Sequence, residues 1–498
     1  MNILMIYPKY PDTYWSFKHA LKFVSKKAAV PPLGLITVSA MLPNEWNKKL
    51  VDLNVEPLKD TNLQWADYAF ISGMYVQKKS ARTIIDRCLK QAVPIVAGGP
   101  LFTQDFDQYP EIDHFVLNEG EITLNDFVED VKNGTTPKKC YRTPEFAEMH
   151  TSPVPDFHLL NLKAYAAMNI QVSRGCPYNC DFCEITALLG RKVRMKSTTQ
   201  LINELQTLYD LGWRESISIV DDNFIGKKGV LKKTLLPAMT DWMKQHKYPF
   251  NFSIQASIEL ADDDALLDML CRAGVQSAFI GIETPSEASL HSCHKGQNEH
   301  RNLIADVKHI QQSGIQVSGG FIVGFDSDEP NIFQRQIDFI QKSGIVSAMV
   351  GLLNAPKNTR LYEQMEKQGR LTEDATGDNT DFTMNFMPKM DPNQLIEGYE
   401  RIIQNIYEMK PFYRRIRNML KQYKRPAGIK KSINMTRLKA FARSIVVLGI
   451  AKKGRWAYWH LLLWTLLKKP ALLPDAITYA VYGYHYRTIY GLRGKNKT

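Results

Sequence analysis

Cys176, Cys180 and Cys183 stand in one stretch, QVSRGCPYNCDFCEI (171–185), of a 498-residue chain with seven cysteines. The gaps between them hold three and two residues. Thiolates that close on one short loop can converge on a single metal centre. Iron–sulfur clusters are held by cysteine thiolates, usually four to a cluster. Structural zinc also takes four ligands, in pairs spaced two to four residues apart. No second pair follows, because Cys88, Cys140, Cys271 and Cys293 are single and scattered. A disulfide framework does not suit a long, cysteine-poor chain whose start, MNILMIYPKYPDTYW, carries no secretory signal. The pattern points to a 4Fe–4S cluster with one iron left without a protein ligand, an open position that serves chemistry rather than structure. An incidental run of thiols, or a zinc site borrowing a ligand, is the alternative.

With Phe182 just before the last cysteine, Cys-x3-Cys-x2-Cys resembles the signature of radical S-adenosylmethionine enzymes. The resemblance implies that the open iron takes the amino and carboxylate groups of S-adenosylmethionine. It also implies that one electron from the cluster breaks a C–S bond and that a 5′-deoxyadenosyl radical takes a hydrogen atom from substrate. A flavodoxin or ferredoxin would deliver the electron.

Residues 166–370 must position this loop. NIQVSRG, SISIVDD, FSIQAS, SAFIGIE, VSGGFIVGF and AMVGLLN read as strands, and TTQLINELQTLYDLG, DDALLDMLCRAG and NIFQRQIDFIQKSG as helices between them. Six such units predict a partial (β/α)6 TIM barrel with its site at the C-terminal strand ends. Those ends carry Asp221-Asp222-Asn223, Ser257, Gly281–Thr284 and Gly319–Phe321. The resemblance puts S-adenosylmethionine there. Ser257 and Glu283 would lie near its ribose and methionine moiety, Gly319, Gly320 and Phe321 against adenine, with Phe182 and Asp222 also in the site. Each of these, taken alone, reads equally well as a strand-end turn.

Upstream, residues 1–135 alternate apolar strands (NILMIYP, KLVDLNV, ADYAFISG, VPIVAGGP, DHFVLNE) with helical stretches such as LGLITVSAML and KKSARTIIDRCLKQ. That alternation predicts an α/β, doubly wound, Rossmann-like domain with ligands at the strand ends. Residues 136–165, with four prolines, read as a connector. A doubly wound domain before a six-unit barrel resembles the cobalamin-binding radical enzymes, as do PPLGLITVSAMLP, GGPLFT and LNEGEITL. The resemblance implies a corrin against Ser72, Met74, Tyr75 and Gln77, against Gly98, Gly99 and Pro100, and against Asn118, Glu119 and Gly120. The Asp-x-His-x-x-Gly motif that ligates cobalt from below is absent, since only His19 and His114 occur in residues 1–135 and neither fits it. No histidine is then expected below the cobalt, and Tyr75 or a neighbour would cap that face. The rival reading is a domain that binds no corrin and only shapes the substrate cleft.

Charge is divided unevenly. Residues 411–498 hold 20 Lys and Arg against Asp475 alone, a net +19, while residues 1–410 carry −7. The extension 371–498 is therefore expected to be helical and basic. In FARSIVVLGIAKKGRWAYWHLLLWTLLKKPALL the apolar runs are broken by Arg443, Lys452, Lys453, Arg455, Lys468 and Lys469, so none reaches the ~18–20 residues of a spanning helix. Aromatics beside cations suit a helix lying in the headgroup layer of an anionic membrane. RNA binding and a soluble helical cap on the barrel are the alternatives, and HLLLWTLLKK suits lipid better than phosphate.

These readings converge on a cytoplasmic radical enzyme, peripheral at the inner membrane face. The chain's wording at YPDTYWSFKHALKF, VDDNFIG and GFIVGFDSD is similar to the group that includes bacterial hopanoid carbon-2 methylases. That implies cobalamin-dependent methyl transfer to an unactivated carbon of a lipid or natural product. Radical coupling, cyclisation or rearrangement without methyl transfer is a second reading. A tRNA-modifying enzyme is a third, but it would want a second cysteine set near the N-terminus.

Overall fold

The computed structural model describes residues 1–372, 376–378, 381–425, 435–452 and 454–491. Parts of the basic tail named above, 426–434, Lys453 and 492–498, lie outside the described residues. Two compact units form. One holds Met1–Pro11, Lys27–Gly175 and Ile185–Glu215, the other Asp12–Lys26, Cys176–Glu184 and Ser216–Thr498.

In the first unit, strands β1 (Asn2–Tyr7), β2 (Asn47–Asp52), β3 (Tyr68–Ser72), β4 (Ile95–Gly98), β5 (His114–Val116) and β6 (Cys140–Tyr141) make one parallel sheet, ordered β2-β1-β3-β4-β5-β6. The inner strands β1, β3 and β4 read as apolar runs because both faces are buried, whereas the edge strand β2, NKKLVD, is buried only at its end. Ile3, Met5, Phe70 and Val96 pack one face against Leu35 and Phe127. Leu4, Ile6, Ile71 and Ile95 pack the other against Ile84, Ile85 and Phe102. Each such side chain contributes roughly 1.5–3 kcal/mol by leaving water. The order reverses between β1 and β3, and a crevice opens at such a switch point beyond the strand ends. Strand β6 falls in the proline-rich connector and is two residues long, too short to show a period.

The stretch NIQVSRG does not run as one strand. β7 (Ala167–Ile170) ends early, and β8 (Ser173–Arg174) pairs antiparallel with β9 (Arg194–Met195). The cysteines therefore follow a short two-stranded ribbon rather than a barrel strand.

In the second unit, β10 (Ser216–Ile219), β11 (Asn251–Ala256), β12 (Val275–Glu283), β13 (Gln316–Val323) and β14 (Ala348–Leu352) lie side by side in chain order, all parallel. No closed barrel forms among the described residues. An open edge strand presents unpaired carbonyls that invite another strand. Here side chains from the C-terminal helices occupy them. Tyr399 and Tyr407 hydroxyls donate to the Val350 and Ala348 carbonyls (2.9 and 2.6 Å), and Arg415 donates to Val346 (3.2 Å). Carbonyls two residues apart point the same way along a strand, so the three donors run down one edge.

The segment Asp12–Lys26 belongs to this unit. Tyr14 stacks on Tyr486 with centroids 4.4 Å apart, and the His485 ring nitrogen Nε2 lies 3.0 Å from the Tyr14 carbonyl. No helix among the described residues is long and apolar enough to cross a membrane.

Candidate active site

The cysteine loop, residues 176–184, is braced within its unit at Asp181. The Asp181 backbone N–H donates to Cys293 O (3.1 Å), and its carbonyl accepts from Leu361 N–H (3.0 Å). Its carboxylate pairs with His294 (2.8 Å) and Arg360 (3.2 Å). Arg360 also donates to Asn179 O at 2.8 Å. Phe182 turns inward, 6.2 Å edge-on to Phe325, in an apolar cluster with Leu353, Met365 and Phe386. The ring thereby anchors the turn that carries Cys183.

All three thiols are half-buried. Burial pushes the Cys176 thiol up, the Cys180 thiol and Asp222 carboxylate add to this, and the Lys295 ammonium opposes it. Gln297 Nε2 lies 3.8 Å from Cys180 Sγ. Lys295 is held 2.7 Å from Glu283. Burial alone would depress that ammonium, but Glu283, ahead of the Cys180 thiol, keeps it well above its ordinary value. A cation so placed favours thiolates, the form that ligates iron. Cys293 meets the loop through its backbone carbonyl and through the apolar cluster it shares with Phe182. Its thiol faces the Leu290 carbonyl (3.5 Å) and burial pushes it up to about 12, so it stays protonated.

Among the described residues no three His, Cys, Asp or Glu side chains stand at the spacing of ligands to one ion. A cubane binds each thiolate to a different iron, so its ligands stand wider apart than those of a single zinc. Three half-buried thiols on a pinned loop, with a neighbouring cation and no poised fourth thiol, fit the cluster.

The strand ends of the second unit divide into groups that face the loop and groups that pack. Ser257 Oγ lies 3.3 Å from the Tyr178 hydroxyl and 3.4 Å from Glu259, and Tyr178 also bonds Glu259. Glu283 sits in left-handed backbone (φ 61°), a strain of ~1–3 kcal/mol of the kind that collects at functional sites. Gly281 permits it, because a Cβ there would run into the Glu283 carboxylate. Buried Asn298 donates to the Gly281 and Ile282 carbonyls, 3.0 Å each, and fixes the turn. Phe321 is fully buried against Phe339 (5.8 Å), so its ring packs and only its backbone lies at the strand. A Cβ on Gly319 would press on the Phe321 ring (2.8 Å), and one on Gly320 on Phe279 (2.9 Å). Asp181, Lys295, Gln297 and Glu259 were not singled out from the sequence. None has a spacing that marks it, and an acid inside Cys-x2-Cys is the one signal available.

In the first unit the switch-point loops meet through backbone. Gly99 has φ 84°, and a Cβ there would strike Ser72 Oγ; one on Gly98 would stand 2.5 Å from the Val116 carbonyl oxygen. Leu101 N–H donates to Gly73 O (3.1 Å) where Pro100 opens a helix, the position that tolerates proline. Asn118, φ 64°, donates its N–H to Thr103 Oγ1 (3.1 Å), and Gly120 starts the next helix. Met74 is exposed, and Tyr75 stands under the Lys78 ammonium at 5.3 Å. Two of the residues expected at the corrin also make contacts within the chain. Buried Gln77 donates to Pro8 O (2.5 Å) and accepts from Met74 N–H (2.7 Å). Glu119 is paired in a fork with Arg194 (2.7 Å twice) and accepts Ala147 N–H (2.7 Å). His114 opens β5 at the end opposite the crevice, and His19 lies in the other unit.

Residues 170–340 match the model of the radical SAM superfamily, and residues 359–496 match a domain of unknown function, DUF4070. The chain is 37% identical over 491 residues to the "Uncharacterized methyltransferase sll1242" of Synechocystis sp. (strain ATCC 27184 / PCC 6803 / Kazusa), covering 98% of this chain and 91% of that one. It is 30% identical over 487 residues to the hopanoid C-2 methylase of Rhodopseudomonas palustris (strain TIE-1), covering 94% and 90%. Its fold is similar to that of OxsB, a cobalamin-dependent S-adenosylmethionine radical enzyme solved with aqua-cobalamin bound, at TM-score 0.65 and 15% identity over 98% of this chain and 79% of that one. The chain belongs to the radical SAM superfamily, in one family with these two full-length relatives. Such enzymes use a 4Fe–4S cluster, S-adenosylmethionine and a reductant.

Proposed function

We propose that this radical SAM enzyme is a cobalamin-dependent C-methyltransferase. Its substrate would be a hopanoid-like lipid or an apolar natural product, modified at an unactivated carbon at the inner face of the cytoplasmic membrane. Cys176, Cys180 and Cys183 hold the cluster, and the fourth iron is left for S-adenosylmethionine. Asp222, Ser257 and Glu283, with the backbone at Gly319–Phe321, line that cofactor's site. Ser72, Met74, Tyr75, Gln77, Gly98–Pro100, Asn118, Glu119 and Gly120 would hold cobalamin. Gln77 and Glu119 also brace these loops through Pro8 and Arg194. When bound, the cluster with S-adenosylmethionine supplies a carbon-centred radical, and cobalamin carries the methyl group.

The protein's own work is to hold and to exclude. Asp181 fixes the loop, Lys295 offsets thiolate charge, and Phe182 seals the turn at Cys183 against water. The observation that carries the reading is the pinned three-thiol loop beside Lys295, in a chain alike end to end with a hopanoid C-2 methylase. The test is anaerobic reconstitution with cobalamin and methyl-labelled S-adenosylmethionine, read against the lipid profile of cells with and without the protein. A labelled methyl on an apolar product supports it. Turnover to 5′-deoxyadenosine with an unmethylated product rejects methyl transfer.

A further inference from the structure

The helix Arg455–Lys468 has apolar residues on two opposite sides, yet only one of them is covered. Tyr458, Leu461, Leu462 and Thr465 are buried. On the opposite side Trp456 (77% exposed), Trp459, Leu463, Leu466 and Leu467 (70%) face outward. The preceding π turn Ile445–Ala451 adds Val446 and Ile450, also exposed. The two segments are locked together, since Trp459 Nε1 donates to the Gly449 carbonyl at 2.9 Å. A patch of this kind on a folded protein marks a docking surface.

The chemistry at its border selects the partner. Lys410, Arg414 and Arg417 recur at i, i+4 and i+7 on the helix Met409–Gln422 and share a cleft with His460. Arg417 reaches His460 Nδ1 at 3.2 Å. His460 lies four residues after Trp456 and three before Leu463, so the cationic cleft opens on the flank of the apolar stripe. Arg455, Lys452 and Lys468 border the same hairpin. The one acid in residues 411–498, Asp475, is buried and paired with Arg425. Apolar rings and leucines beside cations, with no acidic side chain among the described residues lining the cleft, match the boundary between acyl chains and anionic headgroups.

We infer that Val446 and Ile450, with the Trp456–Leu467 stripe, form a two-segment anchor for an anionic bilayer, with one phospholipid phosphate seated among Lys410, Arg414, Arg417 and His460. This rests on the membrane part of the reading above and not on methyl transfer. The anchor is monotopic, with the Trp456–Leu467 stripe lying in the interface plane.

The test is co-sedimentation of the full-length, cluster-loaded protein with vesicles of phosphatidylcholine alone or mixed with phosphatidylglycerol. The wild type is expected to bind the mixed vesicles, and brominated acyl chains are expected to quench its tryptophan emission. Trp456→Ser with Leu467→Ser should weaken that quenching several-fold, because it removes the two most exposed apolar side chains of the stripe. Lys410→Gln with Arg414→Gln should weaken binding to mixed vesicles about thirtyfold, the loss of two cations near an anionic surface. All four side chains are exposed, so cluster content and S-adenosylmethionine cleavage should stay at wild-type level. Equal binding by wild type and both variants, equal binding to both vesicle types, or binding to single-stranded RNA in place of vesicles overturns the inference. Failure of methyl transfer with these results intact leaves the anchor standing.

Discussion

His485 makes the second unit acid-labile. Its ring is fully buried between Phe17 (5.4 Å, nearly parallel) and Tyr486, with Nε2 on the Tyr14 carbonyl. Burial pulls it down to about 4, His19 pushes the same way, and the Tyr14 carbonyl and Asp12 oppose. The folded state therefore refuses a proton that the unfolded chain accepts near its ordinary 6.5. Stability from this group is complete above pH 6.5 and falls as pH drops toward 4, because the unfolded state binds more protons across that window. Each unit of displacement is worth 1.36 kcal/mol, so the loss is ~2 kcal/mol by pH 5 and ~3.4 kcal/mol below pH 4. His485→Gln keeps a donor for Tyr14 and removes the titration. Urea unfolding of both proteins at pH 7.5, 6 and 5 isolates the effect, since every other carboxylate cancels in the difference. The wild type should lose ~2 kcal/mol relative to the variant between pH 7.5 and 5. Parallel pH profiles would refute the reasoning.

Other expectations concern the loop and the two cores. Alanine at Cys176, Cys180 or Cys183 should each abolish the reconstituted iron signal, while Cys293→Ala should leave iron and sulfide content unchanged. Glu119→Gln strands the buried Arg194 guanidinium and should cost ~3–5 kcal/mol in the first unit, read as a lowered unfolding midpoint. Gly398→Ala drives a methyl into the Phe333 ring and should cost ~1–3 kcal/mol by calorimetry. Tyr407→Phe leaves the Ala348 carbonyl without its donor and should cost ~1–3 kcal/mol.

What the sequence carried openly was anything expressed in a local period or a tight spacing. Strands buried on both faces read as apolar runs, as in β1 and β4, and strands buried on one face read as alternation, as in SISI of β10, so β1 to β5 and β10 to β14 were legible. The cysteine spacing was legible because one loop holds it. Contacts closed over long separations were not. Asp12–Lys26 reads as part of the first domain until Tyr14 is found against Tyr486. Arg174 looks like the end of a strand until β8 is found paired with β9. Glu119 and Gln77 look like ligands at strand ends, yet their partners, Arg194 and Pro8, lie 75 and 69 residues away in sequence. Lys295 acts on the cysteine loop from a position that no one-dimensional pattern singles out, and the partners of Asp181, His294 and Arg360, are as distant in sequence.

The C-terminal helices, expected from the sequence to be helical and basic, have two sides that can be tested separately. Their inward side completes the second unit: Tyr399, Tyr407 and Arg415 occupy the β14 edge, and the Tyr486 hydroxyl donates to Ser347 Oγ (3.1 Å). Their outward side carries the Trp456–Leu467 stripe. Deleting residues 411–498 would therefore be a poor probe of membrane attachment. It would strip Arg415 from Val346 and Tyr486 from Tyr14, expose an edge carbonyl and an aromatic core, and give a protein that sticks to vesicles for the wrong reason. Exposed-side substitutions separate the two sides, because they leave every edge donor in place. If the outward stripe were only a solvated cap, serine at Trp456 and Leu467 would leave both vesicle binding and the unfolding midpoint unchanged. An anchor predicts that binding falls while the midpoint holds.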